Sequence, residues 1–244
     1  MAEMRQLHVY DCARTGVLPM RVIVATMLFV GGFAVGLVVV VPAHADPETC
    51  PSVCDQIPNT AWIGQHAVPL DSAYNWPALA GSAEQVTGTA VAPRFRFEDV
   101  CAAPAVPQDA RYSAVAARVT VTHPDGQWQL RAQILHWRGD TARGGPTAAS
   151  VFSNAVAALR GCQRGAPAQS PSITSDEPNR MAAVISGPVV MHTYLVAHVA
   201  SSTVSELTLW SSGPPQVPWP AMADDPVLNS MTAPLCDAYI ASCP

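Results

Sequence analysis

An uncharged run from Val22 to Val41 splits this chain into two parts with different chemistry. Ahead of it lie Arg5, Arg14, Arg21 and one cysteine, Cys12. Behind it lie the remaining cysteines, Cys50, Cys54, Cys101, Cys162, Cys236 and Cys243. One thiol on one side and six on the other is the arithmetic of an exported domain with up to three disulfides. The run reaches about 30 Å as a helix, enough to cross a bilayer. That length favours a retained transmembrane anchor. Ala43-His44-Ala45 before Asp46, preceded by the helix breaker Pro42, instead favours signal-peptide cleavage. Residues 22–45 are one or the other. The three leading arginines, with no Lys or Arg between Val22 and Pro93, put residues 1–21 in the cytoplasm and everything after the run outside. The expected location is thus extracytoplasmic, secreted or anchored in the plasma membrane.

The exported part, Asp46–Pro244, has the length of one domain with an N-terminal arm. It carries 10 Arg against 16 Asp and Glu, a balance of −6. No basic patch is visible, which argues against nucleic acid as a partner. The chain contains no Lys at all, which excludes Schiff-base, Ser–Lys and P-loop chemistry.

Residues 46–93, rich in Pro, Gly, Ala and Ser, predict an extended arm with one short helix at most, packed down by Trp62, Tyr74 and Trp76. Residues 94–244 predict the α+β domain. Arg94–Val100 alternates as a strand would. Ala114–Thr122 and Gln127–Arg138 form a hairpin about Pro124-Asp125-Gly126, with Val115, Ala117, Val119 and Val121 on one face. Gln127, Gln129, Arg131 and Gln133 fall on the opposite, solvated face of the second strand. Thr147–Arg160 switches to helical period through Ala148, Val151, Phe152, Ala155, Val156 and Leu159. Gly165–Asn179 reads as loop, and Met181–Ser186, Val189–Val199 and Thr203–Trp210 as strands. Asp225-Pro226 opens a C-terminal helix, with Asp225 as cap and Pro234 as a kink. The expectation is an antiparallel sheet of five to six strands, covered on one face by a helix, with a C-terminal helix and disulfide staples.

Six exported cysteines allow 15 pairings. Cys101 and Cys162 sit where a bond would staple helix to sheet. Cys50 and Cys54 then either close locally, as do Cys236 and Cys243, or cross between the termini. Proximity of domain termini favours crossing. The three residues between Cys50 and Cys54 do not suit a thioredoxin-type site, and the spacing of Cys236 and Cys243 does not complete a zinc site. No metal ligand set or cofactor motif emerges.

Chemistry-bearing residues are sparse. His66, His123, His136, His192 and His198 show no metal-ligand spacing, and His123 and His136 read as solvated or capped. Ser211-Ser212-Gly213 is not a nucleophile elbow. Glu98 and Asp99 are adjacent acids that cannot share one face of a strand. Asp224 and Asp225 are adjacent too, and Asp225 is better explained as a cap. No catalytic residue is nominated. What remains is a set of aromatics on strands or just after them, Trp137, Tyr194, Trp210 and Trp219, which belong to the core or line a ligand groove.

The order of anchor, hairpin, helix ending Ala-Leu-Arg-Gly-Cys162, further strands and a C-terminal Leu235-Cys236-Asp237-Ala238-Tyr239-Ile240-Ala241-Ser242-Cys243 resembles the small exported proteins of unknown function in mycobacteria and related actinobacteria. More remotely it is similar to the extracellular sensor domain of mycobacterial receptor Ser/Thr kinases. The resemblance covers Cys101 onward and rests on element order and cysteine placement. It implies a cell-envelope location and a binding role, and it carries over no functional residue. The leading expectation is a non-catalytic envelope domain that binds a small apolar ligand or an envelope protein. Alternatives are a structural subunit of a membrane complex, held through residues 22–41, and an envelope hydrolase whose site is assembled from distant residues.

Overall fold

Alternation along Val115–His136 gives each strand two faces, and in the computed structural model both faces are covered. The structure describes residues 56–86, 92–139 and 141–239, all within one compact unit, Asp55–Pro244. After two short 3-10 turns come α1 (Asp71–Tyr74), α2 (Leu79–Ser82), β1 (Glu84–Gln85), α3 (Arg96–Val100), β2 (Val115–Val121) and β3 (Gln129–His136). Then follow α4 (Thr141–Arg160), α5 (Cys162–Gly165), β4 (Ser170–Glu177), β5 (Arg180–Ser186), β6 (Val190–His198), β7 (Thr203–Ser211) and α6 (Asp225–Ala238). The strands form a single seven-stranded antiparallel sheet in the order β1-β2-β3-β7-β6-β5-β4. The fold is α+β, as the sequence predicts, with seven strands rather than five or six.

The sheet separates two cores. On one side, Phe95, Phe97, Leu135, Met181, Ile185, Leu195, Val204 and Trp210 pack with the apolar stripe of α4. On the other, Leu130, Ile134, Tyr194, Leu207 and Leu209 pack with α6 and with Trp62, Leu70, Trp76 and Leu79 from the N-terminal arm. The expectation of one solvated face is therefore corrected. The arm and α6 cover the hairpin's apolar face, α3 and α4 cover the face assigned to solvent, that of Arg131 and Gln133, and every residue of the central strand β7 is buried. The arm is coiled into short turns rather than extended, but it is held by its aromatics as predicted. Trp76 is 1% exposed, stacks on Tyr74 at 4.8 Å and donates its indole N–H to the Pro69 carbonyl at 2.8 Å.

Three further local expectations are overturned. Residues 96–100 form a helix, not a strand, because its first N–H groups meet carboxylates: Glu98 Oε2 accepts from Phe95 N at 2.7 Å, and Glu206 Oε1 from Arg96 N at 2.6 Å. The buried Phe95 and Phe97 mimic alternation only because Phe95 sits extended at the cap. Residues 170–177 form a strand although they read as loop. β4 is an edge strand with mostly exposed side chains, where Pro171 and the serines are tolerated. The long helix begins at Thr141, ahead of Gly144-Gly145-Pro146. Those glycines are contact points, not breaks. A Cβ on Gly144 would lie 2.6 Å from Ser202 Cβ, and one on Gly145 2.8 Å from the Val199 carbonyl.

The Cys101–Cys162 disulfide is present and joins the end of α3 to the end of α4. Cys236 is also disulfide-bonded, to a partner outside the described residues. The 22–45 segment, Cys12, Cys50, Cys54, Cys243 and Ile240 lie outside the described residues as well. Among the described residues no helix is long and apolar enough to cross a membrane. In α6, Asp224 rather than Asp225 occupies the cap position, its side chain accepts no capping bond, and Pro234 lies inside the helix.

If the arm is a structural layer, Trp76→Ala should cost about 3–5 kcal/mol. Urea unfolding measures this, and a loss below about 1 kcal/mol would show that the arm is dispensable.

Candidate functional site

The disulfide ties Cys101, at the start of the segment joining α3 to β2, to Cys162 just after α4. This segment, an arch over residues 102–110, and α4 together line a cleft of about 610 Å³, within the range of small-molecule sites. The apolar wall comes from Ala103, Val106 and Pro107 of the arch and from Val151, Ala155 and Ala158 of α4. Val106 is 40% exposed. Ser150, Asn154, Gln108 and Arg164 add polar groups. Among the described residues Arg164 makes no ion pair. The arch holds two residues in the left-handed region, Ala102 (φ 47°) and Gln108 (φ 53°). Such strain persists only where the surroundings enforce it.

The cleft floor is a buried ion network. Arg111, 4% exposed, donates Nη1 to Glu98 Oε2 at 2.6 Å and Nη2 to Glu98 Oε1 at 3.1 Å. It also donates Nε to Asp109 Oδ2 at 2.9 Å and Nη2 to the same oxygen at 2.6 Å. Burial works against the charged guanidinium, but hydrogen bonds to Asp109 and Glu98 outweigh it and raise the Arg111 pKa. The network makes a rigid, polar floor. Both carboxylates are committed to Arg111, so neither is available as a general base.

The opposite flank of α3 meets the sheet at a second polar cluster. Cross-strand register aligns Gln133 with Arg118 and Glu206, and Arg131 with Thr120 and Thr208. Arg118 Nε donates to Gln133 Oε1 at 2.7 Å. Burial pushes the Glu206 carboxyl up to about 7, although Arg131 and Arg118 pull it down. Its Oε1 accepts from Arg96 N, while Oε2 has no partner. These side chains occupy the face assigned to solvent from sequence; α3 roofs it.

The four aromatics nominated for one groove do not come together. Trp137 and Trp210 lie in the α4-side core, Tyr194 and Trp219 on the α6 side, so the sheet separates them. None of them lines the cleft. Trp210 lies under Arg96, whose guanidinium carbon is 4.8 Å from the ring. Trp219 stacks on His192 at 3.6 Å and meets Trp128 edge-on at 5.1 Å. Burial lowers both His192 and His136 to about 4, leaving them uncharged at neutral pH. His136 is thus not solvated: it stacks on Tyr239 at 4.4 Å and bonds Thr203 at 3.1 Å. His123 too sits against Tyr74 and Trp76, with its Nε2 buried and unpaired. His198 contacts Ser201 at 2.8 Å, but within one turn, with Ser201 2% exposed and outside the cleft. Among the described residues no group of three or more His, Cys, Asp or Glu side chains is placed to hold a metal ion.

The cleft residues were missed from sequence because Arg111, Asp109 and Glu98 are brought together by tertiary structure. The only local signal was the Asp109-Ala110-Arg111 turn. Compared with known protein families and with curated proteins, the chain matches none.

Two measurements follow from these networks. Arg111→Met strands two buried carboxylates and should cost about 3–5 kcal/mol in chemical unfolding at pH 7; a cost under 1 kcal/mol would show the floor to be solvated. The Glu206 value lies above its ordinary one, so the native state keeps a proton that the unfolded chain releases between about pH 4.5 and 7. Ionising it therefore erodes stability as pH rises through that window. The groups facing it are Arg96, Arg118, Arg131 and Glu98. Glu206→Gln should match wild type near pH 4 and exceed it by up to about 3 kcal/mol at pH 8. A difference independent of pH would exclude a neutral buried Glu206.

Proposed function

We propose that this chain is an exported, non-catalytic binding domain that takes a small, largely apolar ligand in the cleft between α4 and the arch at 102–110. The observation that carries the reading is the construction of the cleft. Its wall is apolar, its floor is a saturated ion network, and its two sides are tied by the Cys101–Cys162 disulfide. A preformed site of this kind binds without first having to order its walls. Its carboxylates are paired, so it offers recognition rather than proton transfer. The exposed Val106 and the unpaired Arg164 suit an amphipathic molecule with an apolar body and a polar or anionic end. The disulfide supports an oxidising, extracytoplasmic location, secreted or anchored in the plasma membrane by residues 22–41. A sensor-like role at the envelope, with a protein partner downstream, is compatible with the same site.

The test uses the full chain and a panel of apolar fluorophores and single-chain fatty acids, read by fluorescence and by thermal unfolding. Ala158 lines the cleft from the half-buried flank of α4. Ala158→Trp should fill the cleft, leave the fold intact by circular dichroism and weaken binding at least tenfold. Binding that survives in Ala158→Trp, or no saturable binding by any member of the panel, would overturn the reading.

A further inference from the structure

Arg96 and Arg131 face each other where α3 lies over β3, and neither is properly satisfied. Their side chains are 24% and 16% exposed, and the Nε of each is buried without a hydrogen-bond partner. The nearest counter-charge is Asp99, 41% exposed, 3.6 Å from Arg96 Nη1 and 3.7 Å from Arg131 Nη1. These are ion contacts longer than hydrogen bonds. Arg94 Nε approaches the same carboxylate at 3.3 Å. With Arg118 alongside, four cations gather around Asp99 and Glu206. Glu206 is 1% exposed and carries an oxygen without a partner. Burial, then repulsion from Arg131, lowers the pKa of both Arg96 and Arg118. This excess of positive charge stands in a chain of formal net charge −5.

Guanidinium groups match oxyanions through paired N–H donors, and such charge-assisted bonds are about twice as strong as neutral ones. Here the donors are present, Glu206 is buried beneath them, and Asp99 is set too far back to engage both. Trp210 holds the Arg96 plane from below, while cross-strand Thr120 and Thr208 flank Arg131 on the sheet. Thr120 is exposed. We propose that Arg96 and Arg131, with Arg94 at the edge, form a binding site for one small oxyanion, a phosphate or a carboxylate group, which displaces Asp99 as their counter-charge. The site lies on the opposite flank of α3 from the cleft and stands independently of the cleft reading.

The experiment is calorimetric titration of the full chain with sodium phosphate and, separately, sodium acetate, at an ionic strength fixed with chloride. Saturable binding of either probe is expected, and the probe that binds assigns the tetrahedral or the planar class. Asp99→Asn removes the internal competitor and should tighten binding at least fivefold. Arg131→Gln and Arg96→Gln should each weaken it at least tenfold, and Ala158→Trp should leave it unchanged. If neither probe binds saturably, if Asp99→Asn leaves affinity unaltered, or if both arginine variants bind as wild type does, the assignment is wrong. The gain expected in Asp99→Asn keeps the test decisive should an arginine variant fail to fold.

Discussion

A helix of five residues has no stability of its own, since nucleation costs more than one turn of hydrogen bonds returns. Yet α3 is the element about which this molecule is arranged. It exists because two carboxylates accept successive N–H groups at its start, Glu98 from Phe95 and Glu206 from Arg96. One acceptor is local and the other comes from the middle of the sheet, so the same few atoms fix both the helix and its docking. Cys101 at its far end is then tied to Cys162. From this fixed point Glu98 turns toward Arg111 and the cleft, while Arg96 and Asp99 turn toward the sheet.

Such an arrangement asks the interior to hold charge. Arg111 with its two carboxylates satisfies its donors within the network, which is the condition under which a buried ion pair is tolerable. Glu206 is handled differently. It lies on the most buried strand, with one oxygen bonded and the other not, and burial disfavours its charge more than the arginines favour it. One flank of α3 is electrostatically closed and the other is left open.

The sequence made legible what depends on neighbours in the chain. The hairpin about Gly126 and the strands after Met181 rest on periodicity and are found within two residues of their expected bounds, and the helical stripe from Ala148 to Leu159 is found in a helix that begins six residues earlier than expected. The Cys101–Cys162 bond was legible from the placement of its two ends. What was not legible depends on distant partners. Arg94–Val100 has the pattern of a strand, and only Glu206, more than a hundred residues away, makes it a helix. Ser170–Glu177 has loop composition, and only pairing with β5 makes it a strand. Gly144 and Gly145 signal a break until Ser202 and Val199 are seen against them. The alternating glutamines and Arg131 of β3 suggest water until α3 is placed above them. The four aromatics suggested one groove because period alone does not say which side of a two-faced sheet a residue is on.

The position of β7 bears on how the chain reaches this state. Among the described residues every other strand pairing joins consecutive strands, whereas β7 also pairs with β3, from Gln129 opposite Trp210 to His136 opposite Thr203. As the chain is synthesised, the β2–β3 hairpin is complete long before its partner exists, and one apolar edge stays unpaired meanwhile. The meander β4 to β7 can form by local hairpins alone. The last large step is then the joining of two half-sheets along a single seam, with a loop-closure cost that the local hairpins do not share. Until that seam closes, two open edges are exposed to other chains as well as to each other. The Cys101–Cys162 bond tethers the segment before β2 to the segment before β4. In an oxidising compartment it would shorten the search between the halves, so its kinetic contribution can differ from its contribution to the finished fold.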